Sequence, residues 1–90
     1  MNEPRQPIAV ALRYDGDRAP RVVAKGRGEL AQRIQDEAVR CGIPLQEDPQ
    51  LAELLARIEL GEYIPPSLYV AVAEVLAFAY RLRQDQHLLE

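Results

Sequence analysis

Residues 8–28 read IAVALRYDGDRAPRVVAKGRG, and two β-rich runs separated by a turn decide the fold class. The first run, residues 8–14, is mostly apolar without strict alternation, which suits a strand covered on both faces. Asp15, Gly16 and Asp17 supply turn chemistry, with Gly16 free to take positive φ. Pro20 holds Ala19 extended, and a second strand follows over residues 21–25. Gly26, Arg27 and Gly28 then break that strand.

Working outward, Leu30, Ile34, Ala38 and Cys41 recur at three- to four-residue spacing, which predicts a helix stopped by Gly42. Residues 43–47 form a short apolar run directly after it. That order predicts a strand, a helix and a further strand in parallel pairing, as in a β-α-β unit. Asp48 supplies an N-cap oxygen and Pro49 suits the first helical position. Leu51, Leu54, Leu55 and Ile58 make the apolar stripe of a second helix, which Gly61 ends. Pro65-Pro66 opens the last helix, whose apolar residues Leu68, Tyr69, Val72, Val75, Leu76, Ala79, Tyr80 and Leu82 nearly encircle it. Such a helix is expected to be largely buried. The fold class is therefore α/β: a small mixed sheet of three strands, or four, packed against three to four helices with strand order open. One domain is expected over residues 1–90, its core at about residues 8–83.

Composition narrows the function classes. With 48% hydrophobic and 28% charged residues, the chain reads as folded rather than disordered. Its longest apolar stretch, residues 68–80, contains Glu74 and falls short of the roughly 20 residues a membrane span needs. The first seven residues carry charges and prolines instead of a signal core, so a cytoplasmic location is expected. The formal net charge of -3 is unevenly spread: residues 1–27 hold six basic and three acidic side chains, residues 28–90 five and eleven.

Few residues offer chemistry. The single cysteine, Cys41, cannot form an internal disulfide and reads as a small buried apolar residue. His87, the only histidine, has no partners for nucleophilic catalysis. Asp36-Glu37 and Glu47-Asp48 are adjacent carboxylates, which diverge on a helix and read as surface and capping. No metal or cofactor is expected. The strand-to-helix turn over residues 25–28 (KGRG) could hold an anion, but it lacks a complete phosphate-binding pattern. Arg13, Arg18, Arg21, Lys25 and Arg27 form a modest basic cluster, which leaves a small anion- or nucleic-acid-binding regulator as the alternative function; its test is salt-dependent binding.

The strings AVALRYD, APRVVAKGRGELAQRI, GIPLQEDPQLAELL and ELGEYIPPSLYVAVAEVLAFAYRL occur in that order. They closely resemble the cytoplasmic domain of the FlhB/YscU family of type III and flagellar export switch proteins, the flagellar branch best, over residues 8–83. The resemblance implies a non-enzymatic interaction module that helps select secreted proteins, with export-gate proteins and secreted substrates as partners. No nucleic acid partner and no membrane insertion are expected, and the site of action is cytoplasmic, peripheral to the inner-membrane export apparatus.

The family switches selection after an Asn-Pro-Thr-His segment cleaves itself: the asparagine amide attacks its own carbonyl and expels the proline nitrogen. Pro4, Arg5, Gln6 and Pro7 stand at the corresponding positions. No Asn-Pro dipeptide occurs in the chain, so the resemblance implies no cleavage by that route. It also implies a counterpart of the already cut product, without the family's membrane region and with little of the strand that precedes the cleavage turn. An open sheet edge at the first strand is expected, ready to pair with a strand from a gate protein or a second copy. The family's apolar recognition patch falls on Ala19 and Pro20 with Ala73 and Leu76. Lys25 reads either as a solvated charge at a strand end or as a contact for an acidic partner.

Overall fold

A computed structural model describes residues 6–16 and 18–88, with side chains through Arg81. Strand β1 (Ile8–Arg13) and strand β2 (Arg21–Arg27) pair antiparallel, from Ile8↔Arg27 to Arg13↔Arg21. The register shifts between Ala11 and Leu12. Helix α1 spans Glu29–Arg40, helix α2 Pro49–Leu55, and a single 3-10 turn, Pro66–Leu68, leads into helix α3, Tyr69–Leu88.

Side chains alternate across the hairpin and give each face its partner. Ala9, Ala11, Ala24 and Gly26 share one face. Their small size lets α1 approach closely: a Cβ on Gly26 would stand 2.4 Å from Leu30 Cγ. On the other face Val10 and Leu12 pack against the core of Leu51, Leu55, Ile64 and Val72. This core joins α2, the approach to the 3-10 turn, and α3.

The helix ends follow local chemistry. Asp48 Oδ1 accepts from Leu51 N–H at 3.1 Å, with Pro49 at the first position of α2, as the sequence predicts. At the end of α1 the Ile43 amide bonds Ala38 O at 2.8 Å and the Gly42 amide bonds Val39 O at 3.1 Å. With Gly42 at φ 72°, this is the paired closure that a left-handed residue permits.

Two expectations are corrected. Residues 43–47 form no strand, and among the described residues the sheet has two antiparallel strands, with no third or fourth as expected for a mixed sheet. Pro44 removes a ladder donor, and Ile43 and Leu45 remain 52% and 46% exposed. The free edge of β2 is met by residues 61–64 instead. Gly61 N–H donates to Val22 O (2.7 Å), Val22 N–H to Glu62 O (3.1 Å) and Ile64 N–H to Pro20 O (2.9 Å). Pro65 and Pro66 end this lane after one bridge, Arg21↔Tyr63.

Helix α3 is also less buried than its composition predicts. Of its described side chains only Val72 is buried, while Tyr69, Val70, Ala73 and Tyr80 are exposed. The helix adjoins the 3-10 turn and meets the rest of the domain through Val72 in the core with Leu51, Leu55 and Ile64. Cys41, read as buried, is exposed at the end of α1.

Candidate docking site

The loop from β1 to β2 carries Ala19 and Pro20 to the core that α3 also touches. The Pro20 carbonyl is tied to Ile64, and Pro20 is buried. Ala19 and Leu76 are half-buried and pack against the core cluster of Leu51, Leu55, Ile64 and Val72. Ala73, next to Val72 on α3, is exposed. Two pairs distant in sequence, 19–20 and 73–76, thus each have a member on one apolar core, with Ala73 the most accessible of the four.

Lys25 does not join them. Its ammonium donates to Ala56 O at 3.0 Å and Ile58 O at 2.7 Å, closing the C-terminal end of α2, where free carbonyls attract a cation. This partly buried contact answers the reading of Lys25 as a solvated charge; α2 itself ends at Leu55, short of the Gly61 stop expected from the sequence. Lys25→Met keeps the alkyl stem and removes the donors. It is expected to cost about 1–3 kcal/mol, measured by denaturant unfolding, with faster amide exchange over residues 56–58. An unchanged midpoint would show that the bonds contribute nothing.

The rest of the basic cluster divides as well. Arg27 forms a two-pronged pair with Glu53 at 2.9 and 3.1 Å, and that hydrogen bond and charge raise the arginine pKa. Arg13 bonds Asp15 at 3.1 Å. Arg18 and Arg21 each place their guanidinium carbon 5.8 Å from the centroid of the Tyr63 ring. Asp15, Arg18, Ala19, Arg21 and Tyr63 line a shallow surface depression. Nothing local in the sequence marks Tyr63 beyond its place beside Pro65-Pro66.

Of the degenerate cleavage positions, Pro4 and Arg5 lie outside the described residues. Gln6 and Pro7 are exposed, and Pro7 O accepts from Gly28 N–H at 2.8 Å, continuing the hairpin register. Cys41 Sγ–H lies 3.5 Å from Glu37 Oε2, and this hydrogen bond, with desolvation and the carboxylate charge, raises the thiol pKa. Glu37 also pairs with Arg40. Among the described residues no cluster of side chains is placed to hold a metal ion, and no helix is long and apolar enough to cross a membrane.

A two-stranded hairpin sandwiched between α1 and the α2–α3 layer, with an apolar contact area where the hairpin loop meets α3, defines a small α/β domain. The FlhB HrpN YscU SpaS family model matches residues 4–79, and the chain belongs to that family. It is 47% identical over 79 residues to the uncharacterized protein YlqH of Bacillus subtilis, covering 86% of this chain and 85% of that protein. It is 49% identical to the flagellar biosynthetic protein FlhB of Yersinia enterocolitica, covering 84% of this chain but 21% of the relative. The chain thus spans about a fifth of FlhB. The crystal structure of the cytoplasmic domain of FlhB from Shewanella putrefaciens superposes with TM-score 0.83 at 36% identity, covering 89% of this chain and 68% of that one. A mutated EscU/SpaS C-terminal domain superposes with TM-score 0.77 at 32% identity, covering 82% and 95%. The chain is homologous to the cytoplasmic domains of the bacterial export apparatus.

Proposed function

We infer that the chain is a docking module for proteins secreted through a flagellar or related type III export apparatus, working by contact and without covalent chemistry. The observation that carries this reading is that Ala19 and Leu76 pack on one apolar core, to which the Pro20 carbonyl is tied through Ile64, with Ala73 exposed on the same helix as Leu76. An apolar surface of this kind binds by desolvation, and a few central residues supply most of the affinity. The cytoplasmic face of the export apparatus is the corresponding place of action. The test is co-purification of the tagged chain with purified secreted flagellar subunits and with the soluble domain of an export-gate protein. Binding to neither class overturns the reading.

Self-cleavage is not part of the proposed mechanism. The chain has no Asn-Pro dipeptide, so neither the attacking amide nor its leaving proline nitrogen is present together at any position. Intact mass is expected to stay constant through a prolonged incubation at neutral pH; a discrete pair of fragments summing to the whole would refute this.

The outer edge of β1 supports a second contact. Pro7 and Gly28 form a bonded pair in the hairpin register, so the backbone groups of Ile8 and Val10 point away from β2. No described strand meets them. A gate-protein strand or a second copy is proposed to pair there through the main chain. The Ile8 and Val10 amides are expected to exchange rapidly in dilute monomer and slow on adding the gate domain; full protection in the monomer would contradict this.

A further inference from the structure

We propose that the depression formed by Arg18, Arg21 and Tyr63 receives an acidic side chain of a peptide segment docked on the neighbouring apolar patch. The inference rests on the docking function proposed above and names the chemistry of its partner. Tyr63, 43% exposed, holds two guanidinium heads at 5.8 Å from its ring centroid, inside cation–π range. A ring orients these heads without neutralising them, so their N–H donors remain available to a carboxylate.

Local charge favours an acidic occupant. Residues 13–21 carry three arginines against two aspartates. Asp15 bonds Arg13 at 3.1 Å and reaches Arg21 only at 3.9 Å. Arg18 has no carboxylate partner among the described residues.

The peptide character follows from Ala19. This residue lines the depression and also packs on the apolar core that Leu76 meets. Ala19 therefore belongs to both the charged depression and the apolar core, so a short segment lying over it can set a carboxylate between the arginines and an apolar side chain on the core. A nucleic acid would instead profit from a long basic track. Arg27 and Lys25 are engaged with Glu53 and with the α2 carbonyls, which interrupts such a track.

The test uses two fluorescein-labelled peptides built on a Phe-Leu pair, one flanked by glutamates and the other by glutamines, titrated by fluorescence anisotropy. At low salt the glutamate peptide is expected to bind about fivefold more tightly, as exposed charge pairs contribute modestly and are screened by salt. That preference should vanish in Arg18→Gln and in the Arg18→Gln/Arg21→Gln protein. Arg18 is exposed and makes no described ion pair, so its variant keeps the test sound if Arg21 proves needed for folding. Equal binding of both peptides to the unaltered chain overturns the acidic reading and leaves the docking function standing. Ala73→Asp should weaken both peptides alike, which reads the docking function separately. Binding of neither peptide overturns the inference, while co-purification with secreted subunits reads the docking function on its own. An oligothymidylate that binds more tightly than the glutamate peptide, through the same arginines, overturns the inference in favour of nucleic acid.

Discussion

Val72→Asp is expected to leave the domain unfolded at room temperature, seen as loss of a cooperative thermal transition by circular dichroism. Val72 is 0% exposed and belongs to the core of Leu51, Leu55 and Ile64. Replacing it forfeits about 1.5–3 kcal/mol of apolar burial. The carboxylate must also be buried among aliphatic side chains with no donor near, or protonate, at a further cost of several kcal/mol. A domain of this size holds roughly 5–10 kcal/mol in total, and the buried core here is small. The loss therefore approaches the whole. A cooperative transition close to that of the unaltered chain would show that α3 is held by something other than this core.

Ala73→Asp, one residue along the same helix, is expected to have the opposite profile. Ala73 is exposed, so its side chain meets water and folding stability should shift by no more than about 0.5 kcal/mol. Binding of a secreted subunit should fall by about tenfold or more, because a charge at the centre of an apolar contact must be desolvated without a partner. Pro20 is a poorer probe. It is buried and its carbonyl anchors Ile64, so a substitution there mixes stability with binding. The pair at 72 and 73 separates the two.

Legibility in the sequence followed the range of the interactions. The Asp48-Pro49 start of α2 and the Gly42 end of α1 were readable because both depend on residues within five positions of each other. The hairpin strands were readable from β-rich composition, but their pairing was not. An apolar run such as residues 43–47 does not declare which sheet edge it meets, and here Pro44 keeps it out while residues 61–64 take the place. Burial of α3 is illegible for a related reason: apolar residues around a helix invite neighbours, but among the described residues α3 meets the core mainly through Val72, while α1 packs on the hairpin. Lys25 bonds carbonyls 31 and 33 residues away, a contact beyond any local pattern.

The candidate patch was legible only through resemblance. Ala19, Pro20, Ala73 and Leu76 carry no chemical signature of their own. What relates them is the core that Ala19 and Leu76 share. The Arg18–Tyr63–Arg21 group was half visible, since its arginines stood out as basic residues while the ring that organises them did not.

The most direct measurement is the dissociation constant of a purified secreted flagellar subunit for the unaltered chain and for Ala73→Asp, taken alongside the thermal midpoint of each. The docking account predicts binding by the unaltered chain and a loss of about tenfold, or roughly 1.4 kcal/mol, at an unchanged midpoint. Equal affinities for the two proteins, with both folded, would contradict it.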